Sequence, residues 1–568
     1  MPAPVPSHSR FAIFVRVLLL PGALVLGTVA GLGSYYETSD DASLAWLFGG
    51  VLALKPVPSL PLYFHGYGHG LAAAYAAFPH VPWFGLLNAA LLGVATVLVF
   101  AVLDRLLRPR LRPVPLGLAL AVFFLVGWLE HWLWFSHVRG SVLLAGAAVL
   151  FAAQRPGRRG ALLLGLAGLG AAWLIRPSAS VLGAAAALPA AVLLAGSVRR
   201  ALPVVGSAAL VLGVATGLGL LLQTPGAART QSRDRAFASV LDFEQRRAAP
   251  RTPADSLGTA ALSLWLMGDS SLVNEALVQR AYRFDAPDFL TRQLPARLGA
   301  RAALLVRDYF PLLLALAASA LAVRRFRGPR AGFWLVQLGF GGGLVFLAGW
   351  LKLPPRLALP VLDFWLLANL AFLVWPDGFR PAAAGRSRPV AFVKIPRSIR
   401  WAGGAAGLVV LLLYGAKTGH RRQVLRAERH RHERALEALA QARAGRLLIA
   451  AGTNDLLKSL SPFRCVSLGP GPVLMLSGWP SHDASQARLR LALSGTADQT
   501  ECLRRLATRA PAAARPAPLW VLTPGAAAWL QRRFRHAGRA PLPVLTSGRP
   551  FRADSTLRFY RAQPAAAR

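Results

Sequence analysis

Three carboxylates stand close together after the first long apolar run of the chain. The string Tyr-Tyr-Glu-Thr-Ser-Asp-Asp-Ala-Ser contains Glu37, Asp40 and Asp41, in a chain with only 24 acidic residues. A carboxylate held beside a reacting hydroxyl can take its proton as a general base. A structural role is the alternative, because Ser39 or Asp40 could cap a helix that begins near Ala42. Neighbouring helical residues point to different faces, so capping by one acid still leaves the other for chemistry.

Two basic sites lie in short connections between apolar runs. Arg176 occurs in Ile-Arg-Pro-Ser, and Lys352 and Arg356 flank a Pro-Pro pair. A guanidinium can bind a phosphate through two hydrogen bonds and stabilise it as it departs, and the prolines restrict the loop that carries the charge. The alternative is that these long side chains extend to lipid head groups. The chemical interpretation predicts a phosphate-binding site.

Two acids lie inside apolar runs. Glu130 stands among tryptophans, and an ionisable residue within a span usually faces the protein interior. We therefore expect Glu130 to face a cavity or to pair with Arg139, although the tryptophans alone would suit an interfacial belt. Asp363 is a second such residue, and Arg356, seven positions earlier, is its expected partner two helical turns away.

His65 and His69 are four positions apart, which on a helix would put them on one face. Two glycines between them disfavour a helix, and the only acids near enough to complete a zinc site are those of the carboxylate string. Contact with a substrate, or anchoring of the neighbouring aromatic residues at a membrane interface, is the preferred interpretation of the pair.

The composition indicates a membrane protein. Of 568 residues, 55% are hydrophobic and 15% are charged, whereas soluble domains carry about 25% charged residues. The net charge of +40 comes largely from arginine clusters between apolar runs, as in cytoplasmic loops, so no nucleic-acid partner is predicted. The sequence contains neither a phosphate-loop motif nor a nucleophile elbow, so ATP-driven transport and serine-hydrolase chemistry have no support.

The apolar runs predict a polytopic all-α membrane bundle of about 11 transmembrane helices, since a span needs about 20 apolar residues. The predicted spans are residues 11–32, 84–103, 115–135, 141–153, 161–175, 181–197, 202–222, 310–323, 332–351, 357–375 and 401–416.

Arginine clusters occupy alternate connections between these spans, and cytoplasmic loops attract Lys and Arg. The clusters are Arg105, Arg108, Arg110 and Arg112; Arg155, Arg158 and Arg159; Arg199 and Arg200; Arg324, Arg325, Arg327 and Arg330; and Arg386, Arg388, Lys394, Arg397 and Arg400. If all are cytoplasmic, the N-terminus with Arg10 and Arg16 is also cytoplasmic. Loops 33–83 and 223–308 and the chain after residue 416 are then extracytoplasmic.

The domain prediction follows from this topology. Residues 1–416 form the transmembrane domain, with a short interfacial helix at 44–54 and surface helices within 223–308. Residues 417–446 form a charged, solvated helical stalk, and residues 447–568 form a small soluble α/β domain with strands at 447–451, 473–477 and 519–523 and a polar tail. Cys465 and Cys502 both lie in this domain, where either a disulfide or two buried thiols would be chemically permitted.

An acidic pair in the first external loop, directly after the first membrane helix, resembles the signature of the GT-C superfamily of membrane glycosyltransferases. Tyr36-Glu37-Thr38-Ser39-Asp40-Asp41, followed by Gly49-Gly50, is similar to the Tyr-x-Thr-Asn-Asp-Asp-like string of bacterial members, with Ser39 where Asn is more usual. Protein mannosyltransferases and lipid A aminoarabinose transferases belong to this superfamily. The resemblance covers roughly the first 400 residues, and no second acidic motif is evident.

The resemblance implies an inverting hexosyl- or pentosyltransferase in the plasma (inner) membrane. Its donor would be a polyprenyl-phosphate-linked sugar, and its acceptor a glycan, lipid or protein. Asp40 or Asp41 would be the base; Arg176, Lys352 and Arg356 would hold the phosphate, with Glu37, Glu130, His65 and His69 as further substrate-binding candidates. Some relatives use a divalent metal, Mg or Mn, and others do not. A transporter or flippase of lipid-linked glycans, or a non-catalytic scaffold of the same fold, is the alternative.

Overall fold

A computed structural model describes residues 9–324, 330–374, 397–508 and 516–564. Arg325, Arg327, Arg386, Arg388 and Lys394 of the basic clusters lie outside the described residues. Within the described ranges, eight helices are long and apolar enough to cross a membrane, which makes the chain a multi-pass helical membrane protein. They are α1 (Arg10–Gly31), α4 (Trp83–Leu107), α5 (Pro113–Leu133), α8 (Pro177–Ala195), α9 (Val198–Leu221), α13 (Ala286–Arg324), α14 (Ala331–Gly349) and α15 (Pro355–Val374).

The three remaining predicted spans are also helical. Helices α6 (His137–Ala153) and α7 (Arg159–Ile175) are apolar but have only 17 residues each. The predicted span 401–416 is part of α16 (Arg397–Arg443), one continuous helix of 47 residues. Helix α13 bends at Tyr309, whose backbone is non-helical, because Pro311 lacks the N–H that would continue the helical ladder.

Helix α6 lies at the centre of the bundle. Every residue in it except Phe151 is buried, including the polar His137, Arg139 and Ser141 near its start. The rest of the helix is apolar on all sides, as expected for a buried helix. Small residues allow its neighbours to approach closely. A Cβ added at Gly183 of α8 would come within 2.1 Å of the Val142 carbonyl oxygen, and one at Gly146 would meet the ring of Phe364 at 2.1 Å.

Basic residues of different connections meet at one end of the bundle. Burial, with the positive charges of Arg105, Arg158 and Arg108, lowers the pKa of Arg155 to about 10. Nearby, Arg16 forms a buried ion pair with Asp104, with 2.7 Å between Nε and Oδ1. Two of the predicted basic connections therefore share one face of the molecule.

Short elements cover the other end. They are strands β1 (Tyr35–Tyr36), β2 (Trp134–Phe135), β3 (Arg247–Ala248) and β4 (Tyr282–Arg283), and helices α2 (Ser39–Phe48), α3 (Tyr67–Ala77), α10 (Pro225–Leu241), α11 (Pro253–Ser263) and α12 (Glu275–Ala281). The prediction of an interfacial helix at 44–54 was wrong in two respects. Helix α2 begins earlier, and its Leu44, Leu47 and Phe48 are fully buried within the protein.

Residues 448–564 contain a mixed five-stranded sheet. Strands β5 (Leu448–Ala451), β6 (Val473–Met475) and β7 (Leu519–Leu522) are parallel, with β5 between the other two, and lie within the three predicted strand segments. Helices α17 (Ala484–Ser494), α18 (Gln499–Thr508) and α19 (Pro524–Ala537) accompany them. The antiparallel strands β8 (Pro543–Pro550) and β9 (Arg558–Pro564) replace the predicted polar tail. They escaped prediction because β8 is largely exposed and lacks a buried apolar run.

Two further expectations need correction. The stalk is not solvated throughout, because Leu425, Leu436 and Leu439 of α16 are buried against neighbouring elements. Of the two alternatives for the cysteines, a disulfide or two buried thiols, the structure has free thiols, but only Cys502 is buried and Cys465 is exposed.

Candidate functional site

The carboxylate string is attached to the end of the third long helix by a two-residue parallel strand pair. Strand β1 pairs with β2 in the register Tyr35 to Trp134 and Tyr36 to Phe135. The other edge of Tyr36 binds the C-terminal region, since its N–H donates to the Leu460 carbonyl at 2.8 Å and its carbonyl accepts from Ser459 N at 3.0 Å. The backbone that precedes the acids is therefore held from both sides.

Neither aspartate caps helix α2. The N-cap residue is Thr38, and Asp40 and Asp41 lie in the first helical turn. Asp41 is fully buried, and its Oδ1 accepts from the backbone N–H of His137 at 2.9 Å and contacts His137 Nδ1 at 2.7 Å. Its Oδ2 accepts from the Thr38 hydroxyl at 3.3 Å. Asp41 is thus engaged on both oxygens.

Asp40 has a different environment from its neighbour. It is half-buried, and its Oδ1 accepts a hydrogen bond from Trp479 Nε1 at 3.1 Å. Trp479 begins a short 3-10 turn, Trp479–His482, that follows strand β6. The more accessible carboxylate of the pair therefore faces a tryptophan 439 residues later in the chain.

Glu37 connects the acidic string to two other elements. Its Oε2 lies 2.7 Å from Nη2 of Arg139, in a buried ion pair. Its Oε1 accepts from the Arg356 backbone N–H at 3.1 Å and lies 3.9 Å from the Arg356 guanidinium. The negative charges of Glu37, Asp40 and Asp41 all lie close enough to Arg356 to favour its positive charge. The cation that follows the Pro-Pro pair thus lies beside the acids.

Arg176 lies near the same acids, with Tyr63 next to it. Its guanidinium carbon lies 5.1 Å from the centre of the Tyr63 ring. Burial raises the pKa of Tyr63, the Arg176 charge lowers it, and Asp40 raises it further. Glu37, Asp40, Asp41, Arg176 and Arg356, which come from three separate parts of the chain, are hereafter called the charged cluster.

Lys352 lies at the rim of the charged cluster. Its Nζ is 2.8 Å from Oδ1 of Asp242, and both side chains are partly exposed. Asp242, which caps the end of α10, also acts on Arg356 and Tyr63. Lys352 is therefore near the cluster, but the charge of Asp242, which was not predicted as a site residue, offsets its own.

Two of the expected ion pairs are different in the structure. The Glu130 carboxylate binds Tyr414, Lys417 and Arg421 of α16 at 2.8, 2.7 and 2.7 Å. Arg139 donates to the backbone carbonyl of Glu130, and its ion pair is with Glu37. Asp363 pairs with His131, with 2.7 Å between Oδ2 and Nε2, rather than with Arg356. Glu130 therefore anchors the long helix α16 to the bundle and does not line the cluster.

The two histidines of the glycine-rich string are separate from each other. His65 packs against Trp173, with 5.4 Å between ring centres, and burial lowers its pKa. His69 is exposed on α3, which begins at Tyr67 after Gly66, so His65 lies outside this helix and the two histidines do not share a helical face. Among the described residues, no group of three or more His, Cys, Asp and Glu side chains could hold a metal ion. Hydrogen-bond donors and cations engage both oxygens of Glu37 and of Asp41, so among the carboxylates of the cluster only Asp40 keeps an oxygen open, which is too few ligands to fit a divalent metal.

An apolar groove runs along three of the membrane helices of the bundle. Its volume is about 530 Å³, and α8, α14 and α15 line it with Leu182, Pro189, Leu335, Gly339, Leu347 and Val361. Leu182 is six residues after Arg176 and Val361 is five after Arg356, so one end of the groove lies about 8–9 Å along these helices from the two cations. Nothing in the sequence indicated the groove, because its lining is ordinary for membrane spans.

His137, Tyr63 and Trp479 were not predicted as site residues. His137 could have been suspected, since it follows an ionisable residue and three tryptophans at a helix end. The signal for Trp479 is weaker, a Gly-Trp-Pro string outside the predicted bundle. Their contacts with the acids depend on chain segments that are far apart in sequence.

Comparisons with known proteins identify no relative. No protein-family model, curated protein or solved structure shows significant similarity to the chain. The functional conclusion therefore depends on the geometry of the charged cluster and the groove.

Proposed function

We propose that this protein is a membrane glycosyltransferase of the GT-C type, which moves a sugar from a polyprenyl-phosphate donor to an extracytoplasmic acceptor. The observation that carries the proposal is the charged cluster itself. A half-buried carboxylate, Asp40, lies in the same group as Arg176 and Arg356. A proton acceptor beside two phosphate-binding cations suits a reaction that removes a proton from a hydroxyl and expels a phosphate.

The groove supports a lipid-linked donor. A polyprenyl chain needs an apolar channel that is open to the membrane, and the groove is lined almost wholly by apolar side chains of membrane helices. Its nearness to Arg176 and Arg356 would allow one molecule to place its chain in the groove and its phosphate on the cations. A glycan transporter would instead place its substrate site near the bilayer midplane.

The reaction is a single displacement. The acceptor oxygen bonds to the anomeric carbon as the bond from that carbon to the phosphate oxygen breaks, and the electron pair leaves with the phosphate. Asp40 takes the acceptor proton, Arg176 and Arg356 offset the phosphate charge, and the anomeric centre inverts. Asp41 is a positioning residue, because hydrogen bonds to Thr38 and His137 engage both of its oxygens.

The proposed topology has 11 spans. It adds α6, α7 and the start of α16 to the eight long helices, and it puts the arginine-rich end in the cytoplasm. The charged cluster and the region 447–568, as a soluble α/β domain, are then on the extracytoplasmic side of the plasma (inner) membrane.

The test is donor turnover by the full chain in proteoliposomes. Radiolabelled undecaprenyl-phosphate-linked hexoses and pentoses are supplied, and released polyprenyl phosphate and transferred sugar are measured. We expect turnover of at least one donor by the wild type, a loss of at least a hundredfold in kcat for Asp40→Asn, and no change for the exposed control Asp455→Asn, whose side chain is 74% exposed. Equal turnover by wild type and Asp40→Asn would contradict the role of Asp40. Movement of donor across the bilayer without turnover would favour a transporter.

A further inference from the structure

Two half-buried aromatic rings stand beside the proposed base. Tyr63 and Trp479 have ring centres 6.0 Å apart at an interplanar angle of 57°. The Trp479 indole N–H binds one oxygen of Asp40, and the Asp40 charge also acts on Tyr63. The two rings and the carboxylate thus form one surface, to which the bundle and the C-terminal region both contribute.

Each ring is held by the backbone around it. The N–H of Phe64 donates to the Ile175 carbonyl at 2.9 Å, and the Tyr63 ring packs edge-on against His137 at 5.7 Å. On the other side, Gly478 has a φ of 77°, which suits glycine, and its N–H donates to the Trp265 carbonyl at 2.8 Å. Residues fixed in this way need little ordering to bind a ligand.

Helix α10 fixes the position of the turn that carries Trp479. His482 Nε2 lies 2.7 Å from Asp234 Oδ1, and Arg233 donates to the His482 carbonyl at 3.0 Å. Asp234 and Asp242 of this helix both act on Tyr63. Two further carboxylates therefore lie near the aromatic surface, beyond Asp40.

This combination of groups suits a sugar ring. The C–H face of a pyranose or furanose packs on an aromatic face, while its hydroxyls donate to carboxylates, and Tyr and Trp offer an apolar body with a polar tip. Among the hydrogen bonds of the described residues, Asp40 uses only Oδ1, which leaves Oδ2 to accept from a hydroxyl. Charge-assisted bonds of this kind are stronger than neutral ones.

We propose that Tyr63 and Trp479, with Asp40 beside them, form the acceptor subsite, and that this subsite takes a carbohydrate ring. A glycan or the sugar head group of a glycolipid is then the acceptor class, and the C-terminal region completes the site by supplying Trp479. This inference rests on the proposed function, because Asp40 is both the base and a wall of the subsite. The donor also carries a sugar ring, so the experiment must distinguish binding of the donor sugar from binding of the acceptor.

The first measurement does not depend on turnover. The full chain in lipid nanodiscs, free of sugar detergents, is mixed with methyl glycosides of common hexoses and pentoses, and saturation-transfer NMR detects contact with the sugar protons. We expect signals with the wild type and with Trp334→Ala, a control tryptophan that is 36% exposed on α14. The signals should fall at least fivefold in Trp479→Ala and in Tyr63→Ala. No signal with the wild type, or equal signals in all four proteins, would overturn the inference.

The second measurement separates acceptor from donor. In proteoliposomes with the donor identified by the turnover test, octyl glycosides and octanol serve as acceptor probes. We expect Trp479→Ala to raise the KM for octyl glycosides at least tenfold, with a smaller effect on the KM for the donor. A rise confined to the donor KM would assign the rings to the donor sugar and overturn the acceptor assignment. If the wild type turns over no donor but gives the NMR signals, the proposed function fails while sugar binding stands.

Discussion

Asp40 and Asp41 are adjacent in the chain, yet their carboxylates face different surroundings. About 100° separates neighbours on a helix, so Asp41 turns inward to His137 while Asp40 turns to Trp479. The acids were identifiable from the sequence, because an acidic pair after a first span is unusual in so basic a chain. The different roles of the two acids were not identifiable, because Trp479 and His137 are remote from them in the sequence and neither contact leaves a local pattern.

The Asp41→Asn substitution separates positioning from chemistry. The neutral amide that this substitution introduces accepts a weaker hydrogen bond from His137 than the charged carboxylate does. A hydrogen bond to a charged group contributes about 1.5–3 kcal/mol to stability. We expect thermal unfolding in nanodiscs at a lower temperature than for the wild type, with a partial loss of kcat. Asp40→Asn should show the opposite pattern, near-normal stability and a near-complete loss of kcat. Matching profiles for the two variants would contradict the separate roles.

The elements of the bundle were easier to predict than the contacts between them. Each apolar run carries its own signal, so the described residues of the eleven predicted spans are almost all helical, and three strand segments were recognised in the same way. The two-residue strands β1 and β2 were not predictable, because so short a pair has no periodicity. Helix α3 begins only after Gly66 and so leaves His65 outside, and the capping residue of α2 was misassigned by one or two positions, which is the usual uncertainty at helix ends.

Close packing of α6 against α8 can be tested with glycine substitutions. A methyl group at Gly183 would overlap the Val142 carbonyl at 2.1 Å, whereas one at Gly213 of α9 meets nothing within 4 Å. We expect Gly183→Ala to destabilise the protein by about 1–3 kcal/mol, as overpacking does. Gly213→Ala should be neutral or slightly stabilising, since alanine favours a helix over glycine. Thermal unfolding of both variants in nanodiscs measures this, and a neutral Gly183→Ala would show that the helices are less tightly packed.

Helix α18 should make the C-terminal region sensitive to acid. The hydrogen bond from Arg504 to Glu501, against the opposing effect of burial and with help from Arg505, lowers the pKa of Glu501 from 4.5 to about 2. A carboxylate whose pKa is lowered by folding stabilises the fold. This stabilisation is complete above the pKa of the unfolded protein and is lost as the pH falls through the pKa of the folded protein. Resistance to an acid-active protease should therefore decline between about pH 4.5 and pH 2. Glu501→Gln should be less resistant at pH 5 and should respond less to acid, and identical pH profiles would refute this role.

At the scale of the whole molecule, the C-terminal region forms part of the site end of the bundle. Its backbone bonds to Tyr36, its Val466 carbonyl accepts from Trp46 at 3.0 Å, and Gln486 donates to the Leu52 carbonyl at 2.6 Å. The sequence predicted a bundle, a stalk and a domain as successive units. The packing of these units around Asp40 could not be predicted, because the sequence of a membrane span indicates its length and orientation but not its neighbours.

The native thiols provide a test of orientation. Cys465 is exposed and Cys502 is buried, so a membrane-impermeant maleimide added to intact cells should label Cys465 alone if the C-terminal region is extracytoplasmic. The label should disappear in Cys465→Ser, and Cys502 should react only after denaturation. Labelling that requires membrane disruption would reverse the proposed topology.

The central claim is that Arg176 and Arg356 hold the phosphate of the donor, with the donor sugar next to the carboxylate of Asp40 that takes the acceptor proton. The most direct measurement is a cryo-EM structure of the full chain in nanodiscs with a non-transferable phosphonate analogue of the polyprenyl-phosphate sugar that it turns over. We expect the phosphonate between the two guanidinium groups, the sugar next to Asp40, and the polyprenyl chain in the groove lined by Leu182, Leu347 and Val361. A phosphonate bound at the arginine-rich end, or a sugar remote from Asp40, would contradict it.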